Sequence, residues 1–166
     1  MAQTRGWRPM TAKDLDDVVA IASIGFPDHP EDRDCFASRL SVFPEGCFIL
    51  DSEAGAKGYL ITYPWTANSA PVLNRTLAAL PDDVSVLYLH DLAMHPDVRG
   101  EGWSRSAMDH VLAVATRGGW SSVALVAVNE AVDFWRRHAF EVQQTSAMAA
   151  KLASYGADAR YMVRRV

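Results

Sequence analysis

The chain is poor in cysteine: Cys35 and Cys47 are its only two, and they lack both metal-ligand spacing and the number needed for a disulfide scaffold. A reducing compartment, the cytoplasm, is therefore expected, with both thiols as buried neutral groups. No stretch approaches the roughly 18 unbroken apolar residues of a membrane span, and the N-terminus lacks an apolar signal core, so no membrane association or secretion is expected. Basic charge is not in excess either. The formal net charge is −4, and Arg136-Arg137 and Arg164-Arg165 are too small as clusters to give an electrostatic footprint for nucleic acid. A cationic small substrate is compatible with that balance. His29, His95, His110 and His138 show no convergent metal spacing and read as surface or turn residues, so no metal is expected. Internal repeats and low-complexity segments are absent as well.

What remains is an ordinary globular composition, 49% hydrophobic and 22% charged over 166 residues, which suits one domain spanning residues 1–166. A short strand at Gly6 to Pro9 precedes Thr11-Ala12-Lys13-Asp14, a capping box, and Leu15, Val18, Val19 and Ala22 follow at helical spacing toward Gly25. Asp28 to Phe43, with Pro30 near its start and Phe36 and Leu40 four apart, predicts a second helix. Cys47 to Leu50 and Tyr59 to Tyr63 read as a hairpin. Pro64 to Asp83 then interrupts the sheet as an insertion in which Leu73 to Leu80 makes a helical turn or two. A long strand, Val86 to Met94, leads to a helix from Arg105 to Arg117 stopped by Gly118-Gly119. Ser122 to Val128 is a doubly buried strand that this helix joins as a crossover. A helix from Ala131 to His138 and strands near Val142 to Lys151 and Arg160 to Arg165 complete a mixed α/β chain.

Between the long strand and its helix lies Arg99-Gly100-Glu101-Gly102-Trp103-Ser104. Two glycines let backbone N–H groups turn toward an anion, the helix start adds unpaired N–H groups and a positive dipole end, and an arginine supplies a fork of donors. No Gly-Lys-Ser/Thr follows, and Arg105 stands where a dinucleotide fingerprint needs its third glycine, so neither nucleotide motif fits.

The run does match Arg/Gln-x-x-Gly-x-Gly/Ala, with Ser104 in the last small position, and so resembles the pyrophosphate loop of the GNAT superfamily of N-acetyltransferases. Leu89-His90-Asp91-Leu92-Ala93-Met94-His95-Pro96 is similar to that superfamily's central strand, and Leu89 to Ala93 to its arylalkylamine branch. Ala127 to Phe140 looks like the segment in which an asparagine precedes an aromatic pair and a closing Gly-Phe, with Ala139 in place of the glycine. The resemblance covers essentially the whole chain. It implies the GNAT fold: a mostly antiparallel twisted sheet of about six or seven strands flanked by about four helices, with strands 4 and 5 splayed around the cofactor.

The resemblance further implies acetyl-coenzyme A as cosubstrate. Leu92, Ala93 and Met94 would pair with its pantetheine arm and polarise the thioester carbonyl, an oxyanion-type role. Arg99, Gly100, Glu101, Gly102, Trp103, Ser104 and Arg105 would hold the pyrophosphate. Asn129 would bond the pantetheine amides, or cap the helix that follows it; Phe134 and Trp135 would pack near the cofactor, or belong to the core.

Direct aminolysis must strip a proton from an alkylammonium and return one to the departing thiolate. His90 is a base candidate on its reference pKa, and Asp91 competes; strand alternation places the two on opposite faces unless a bulge intervenes. Each also has a structural reading, Asp91 as the partner of an arginine. Trp135 occupies the position where many relatives carry a tyrosine acid, and indole N–H is no acid at physiological pH. Tyr88, Tyr155, Tyr161 or water would have to substitute. The expected acceptor is a primary amine of a small molecule. A protein lysine or N-terminal amine is the alternative, requiring an open groove that the insertion would close, and a non-catalytic acyl-coenzyme A binder is a third reading. Edge strands near the C-terminus are compatible with a homodimer.

Overall fold

The computed structural model describes residues 6–143 and 146–166. After β1 (Gly6–Pro9), the Thr11 N–H donates to the Asp14 carboxylate at 2.8 Å and a 3₁₀ turn, Ala12–Asp14, leads into α1 (Leu15–Gly25). Leu15, Val18 and Ile21 are its buried stripe. The second helix, α2 (Arg33–Val42), starts later than expected. Pro30 disfavours helix at His29, and Asp32 is extended, so the chain from 28 to 32 is a connecting loop. That loop carries Glu31 into the interior.

The hairpin is present as β2 (Cys47–Ser52) and β3 (Gly55–Trp65). β3 runs through Pro64, where an interruption was expected. β2 pairs with β3 only as far as Ile61, so the missing N–H of Pro64 costs no ladder bond on that side, while the other side pairs with β4 (Val86–Met94) through Pro64↔Leu87. Between β3 and β4, the helical turns expected at Leu73 to Leu80 are replaced by turns and irregular chain. Side chains meet that segment's backbone instead: Leu77 N–H donates to Ser38 Oγ and Asn74 N–H to the Glu31 carboxylate.

Beyond β4 come α3 (Trp103–Gly118), stopped by left-handed Gly119, then β5 (Ser122–Ala127) and α4 (Val132–Arg137). The strand expected over Val142 to Lys151 is reduced to β6 (Glu141–Val142). The alanine-rich Ser146–Lys151 is helix α5, as its propensities favour, followed by a 3₁₀ turn, Leu152–Tyr155, and β7 (Arg160–Arg165).

The seven strands form one sheet, ordered β1-β2-β3-β4-β5-β7-β6, antiparallel throughout except where β5 lies parallel to β4. One face packs against α1, α2, α5 and the turn at Leu152–Tyr155; the other packs against α3 and α4. The β4–β5 ladder is short, pairing Leu87↔Val123 and Tyr88↔Ala124. Past Tyr88 the two strands part, and the edge of β4 from Leu89 to Met94 that faces β5 has no ladder partner among the described residues. No helix among the described residues is long and apolar enough to cross a membrane.

Candidate active site

The centre of the molecule is set by one extra residue. In the β3–β4 ladder Ile61 faces Asp91 and Thr62 faces Leu89, so His90 is a bulge. Before it, Leu87 and Leu89 join the core under α3 while Tyr88 joins the core under α1; after it, Ala93 again faces α1. The bulge resets the alternation. His90 and Asp91, expected on opposite faces, both line a single cavity of about 150 Å³.

Around His90 the polar side chains form a chain of bonds. His90 Nε2 lies 2.8 Å from Glu31 Oε1, Glu31 Oε2 accepts from Arg39 Nη2 at 2.5 Å, and His90 Nδ1 lies 2.9 Å from the Tyr63 hydroxyl. Burial alone would raise the Glu31 carboxyl, but the hydrogen bond and charge of His90 and the Arg39 guanidinium outweigh it and hold the group down to about 2. With Glu31 ionised, His90 Nε2–H donates to it, and Nδ1 is hydrogen-bonded to the Tyr63 hydroxyl. Asp91 accepts from the Tyr59 hydroxyl at 3.0 Å and lies 4.0 Å from His90 Nε2. Burial raises its carboxyl above the usual range, with the nearby Glu31 charge adding to the effect against the opposing pull of His90 and Arg39. Its side chain is 14% exposed, against 3% for His90, so Asp91 is the more reachable of the pair.

The rest of the cavity is largely aromatic and aliphatic, with Phe26, Phe36, Leu73, Leu125, Val128 and Trp135 in its wall. Its roof is the segment joining β3 to β4. The Tyr155 hydroxyl donates to the Pro71 carbonyl, Asn74 Oδ1 accepts from Asp32 N–H at 2.9 Å, and the Asn74 N–H reaches Glu31. Tyr155 thus spends its proton on the strap, and burial pushes its hydroxyl up to about 12. Tyr88 is buried and hydrogen-bonded to Tyr155, while the Tyr161 hydroxyl accepts from Asn68 N–H well away from His90. Of the three tyrosines considered as acids, none offers an uncommitted proton to the cavity. His29, read as a surface or turn residue, lines the cavity instead, its Nε2–H donating to the Tyr155 carbonyl at 2.6 Å.

A second cleft, about 370 Å³, adjoins the first across Phe26, Leu92 and Phe134 and is walled by Ala93, Met94, Arg99, Gly100 and Ser104. Gly100 and Gly102 have φ of 80° and 84°, the left-handed region. Gly102 is the N-cap of α3, and because it has no side chain to accept from the first turn, those N–H groups stay open toward the cleft end. Arg99 Nε donates to the Met94 carbonyl at 3.2 Å, which holds its guanidinium beside the loop. The donor set fits a pyrophosphate at the helix start, and the unpartnered edge of β4 fits an extended amide-bearing chain.

The other expected cofactor residues differ in their surroundings. Trp103 uses its carbonyl to accept from Trp7 Nε1, which ties α3 to β1, and Glu101 and Arg105 are exposed on the loop and first turn. Asn129 is exposed at φ 54°, and the N-cap of α4 is Ala131, so the capping reading of Asn129 is not realised. Phe134 lines both clefts, and Trp135 is a core residue packed against Phe134 and Phe140 that also walls the cavity. Both thiols are buried, Cys47 pushed up to about 12 by that burial. The sequence reading missed Glu31, Arg39, Tyr59 and Tyr63. The one available signal was a buried-looking strand, Tyr59 to Tyr63, carrying two tyrosines at strand period.

Residues 7–140 match the model of the acetyltransferase (GNAT) family. No curated protein matches the chain. Among solved structures it is similar to Ard1 from Thermoplasma volcanium, at 17% identity over all of this chain and 99% of that one with a TM-score of 0.73. It is similar also to the loading GNATL domain of CurA from Lyngbya majuscula, at 13% identity over 98% of each chain with a TM-score of 0.76. Naa50 from Arabidopsis thaliana in complex with the bisubstrate analogue CoA-Ac-MVNAL is similar at 12% identity, covering 98% of this chain and 99% of that one, with a TM-score of 0.70. At such identities the structural likeness speaks for the fold alone, and it is the family match over most of the sequence that decides membership: the chain belongs to the acetyltransferase (GNAT) family.

Proposed function

We propose that this protein transfers an acetyl group from acetyl-coenzyme A to the primary amine of a small molecule. Acetyl-coenzyme A, the cosubstrate of the family, supplies a thioester activated toward an amine. The observation that carries the acceptor class is the roofed cavity. The strap is fastened to Tyr155, Ser38 and Glu31 beside a space of about 150 Å³, which supports a small acceptor over a peptide at His90 and Asp91.

Arg99, Gly100, Gly102 and Ser104, with the first turn of α3, would hold the pyrophosphate; Leu92, Ala93 and Met94 would carry the pantetheine arm on the free edge of β4; Phe134 would pack between the two clefts. Asp91 is the group placed to take the ammonium proton. Its raised pKa makes it a stronger base than an ordinary aspartate, and Tyr59 keeps its carboxylate aimed at the cavity. His90, 4.0 Å away, holds a second proton position on Nε2, oriented by Glu31 and Tyr63. The thiol side has no side-chain acid. A thiolate with a reference pKa near 8.5 leaves without one, its proton coming from water.

A thiol-release assay with acetyl-coenzyme A against small monoamines, polyamines, aminoglycosides, amino acids and peptides tests the reading. Turnover with a small amine and none with peptides is expected. Turnover confined to peptides would replace it with the protein-acetylating reading, and coenzyme A binding with no transfer to any of these amines would favour an acyl-coenzyme A binder.

A further inference from the structure

The polar end of the cavity holds more carboxylates than permanent cations. Glu31 and Asp91 contribute two carboxylates, and Arg39, bonded to Glu31 and wholly buried, returns one positive charge. One atom from each of Glu31, His90 and Asp91 lies within 4.8 Å of the others, a spacing that could hold a cation. Which cation is decided by charge and by surroundings. A divalent metal would leave a net positive charge beside the Arg39 guanidinium, out of water, and would have to break the bond from His90 to Glu31. A monovalent ammonium cancels the excess and brings N–H donors for both carboxylates.

We propose that Glu31 and Asp91 together form the receptor for the acceptor's ammonium group, with Arg39 setting the charge balance, and that the acceptor is a monoamine with an uncharged apolar body. This rests on the acetyltransferase reading and narrows its substrate class. Away from this end the wall is mostly apolar, with Phe26, Phe36, Leu73, Leu125 and Val128, and its polar groups, on His29, Tyr88 and Tyr155, include no carboxylate or guanidinium, so the second charge of a diamine or an amino acid would lack a fixed counter-charge. A cavity near 150 Å³ with a mostly apolar wall takes a body of about the size of a benzene ring. Glu31 is thus a specificity residue that touches the bound ammonium. Asn74, whose N–H donates to Glu31 Oε2 at 3.2 Å, positions that carboxylate from the strap.

Calorimetric titration of the full chain, with and without saturating coenzyme A, compares benzylamine with its neutral isostere benzyl alcohol. The amine is expected to bind on the order of 30-fold more tightly, and Glu31→Gln to shrink the ratio to about threefold or less while keeping the coenzyme A-induced rise in melting temperature. Benzylamine is expected to be acetylated with a kcat/KM at least about 30-fold above that of 1,4-bis(aminomethyl)benzene or 4-(aminomethyl)benzoate. Equal binding of amine and alcohol by the unaltered protein overturns the proposal without recourse to any variant. So does binding of Mn²⁺ or Zn²⁺ that displaces benzylamine, or equal use of the diamine. If coenzyme A gives no rise in melting temperature, the acetyltransferase reading falls, while the amine-to-alcohol ratio still decides the ammonium receptor.

Discussion

Asp91 meets the cavity with more of its surface than either polar neighbour, and it does so from a strand position next to His90. Removing its charge while keeping its shape separates chemistry from folding. Asp91→Asn is expected to lower kcat by about 10²- to 10⁴-fold, the span of a lost general base, with coenzyme A affinity unchanged. A base must be deprotonated to act, so activity of the unaltered protein rises with pH through the Asp91 pKa, and that limb lies above the ordinary aspartate range and disappears in Asp91→Asn. His90 and Asp91 were legible as candidates because their residue types and strand suit proton transfer. That both line the cavity was not, because a bulge depends on which residues the partner strand presents, and β3 is far from β4 in sequence. Glu31 was hidden for a related reason: a carboxylate in a loop after Pro30 looks solvated until Arg39 and His90 are seen to meet it.

At the scale of elements, the strap between β3 and β4 borders the cavity through Leu73. Its backbone is tied by side chains of other elements, at Pro71 by Tyr155, at Asn74 by Glu31 and at Leu77 by Ser38. Tyr155→Phe removes the first of these ties. The variant is expected to lose about 1 kcal/mol of stability and to show faster amide exchange in the strap while exchange in α3 is unchanged. Equal exchange in both proteins would mean that Tyr155 does not fasten the strap. The prolines marked this segment as an insertion in the sequence, but its helical spacing at Leu73 to Leu80 misled, since tertiary partners took the backbone groups that a helix would have used. By contrast α3 follows its local signals from Gly102 to Gly119, with apolar spacing between two left-handed glycines. The 3₁₀ capping turn at Thr11 to Asp14 does likewise, its two groups being three residues apart.

For the whole molecule, the buried charges make stability depend on pH. Glu31 has a folded pKa of about 2 against an ordinary 4.5, so the stabilisation it provides is complete above about pH 4.5 and is lost as pH falls through about 2. At most about 3 kcal/mol is at stake. Denaturant unfolding between pH 6 and pH 2 is expected to show that loss in the unaltered protein and a flatter profile in Glu31→Gln; parallel profiles would mean that Glu31 is not held ionised. Asp91 works in the opposite sense. Its raised pKa means that ionising it in the fold costs stability at neutral pH, so Asp91→Asn is expected to be the more stable and less active protein.

By itself the sequence determined the family, the order of most elements and the two-glycine loop before α3, because each rests on local signals: apolar periodicity, capping pairs, and glycines at positions that need positive φ. Only the tertiary structure decided the make-up of the proposed acceptor site. Its charge comes from Glu31, Arg39 and Asp91, residues on three separate elements, and its shape from a bulge and a strap fastened by hydrogen bonds across the fold. Charge balance and enclosure are properties of groups brought together from a distance, and no window of sequence contains them.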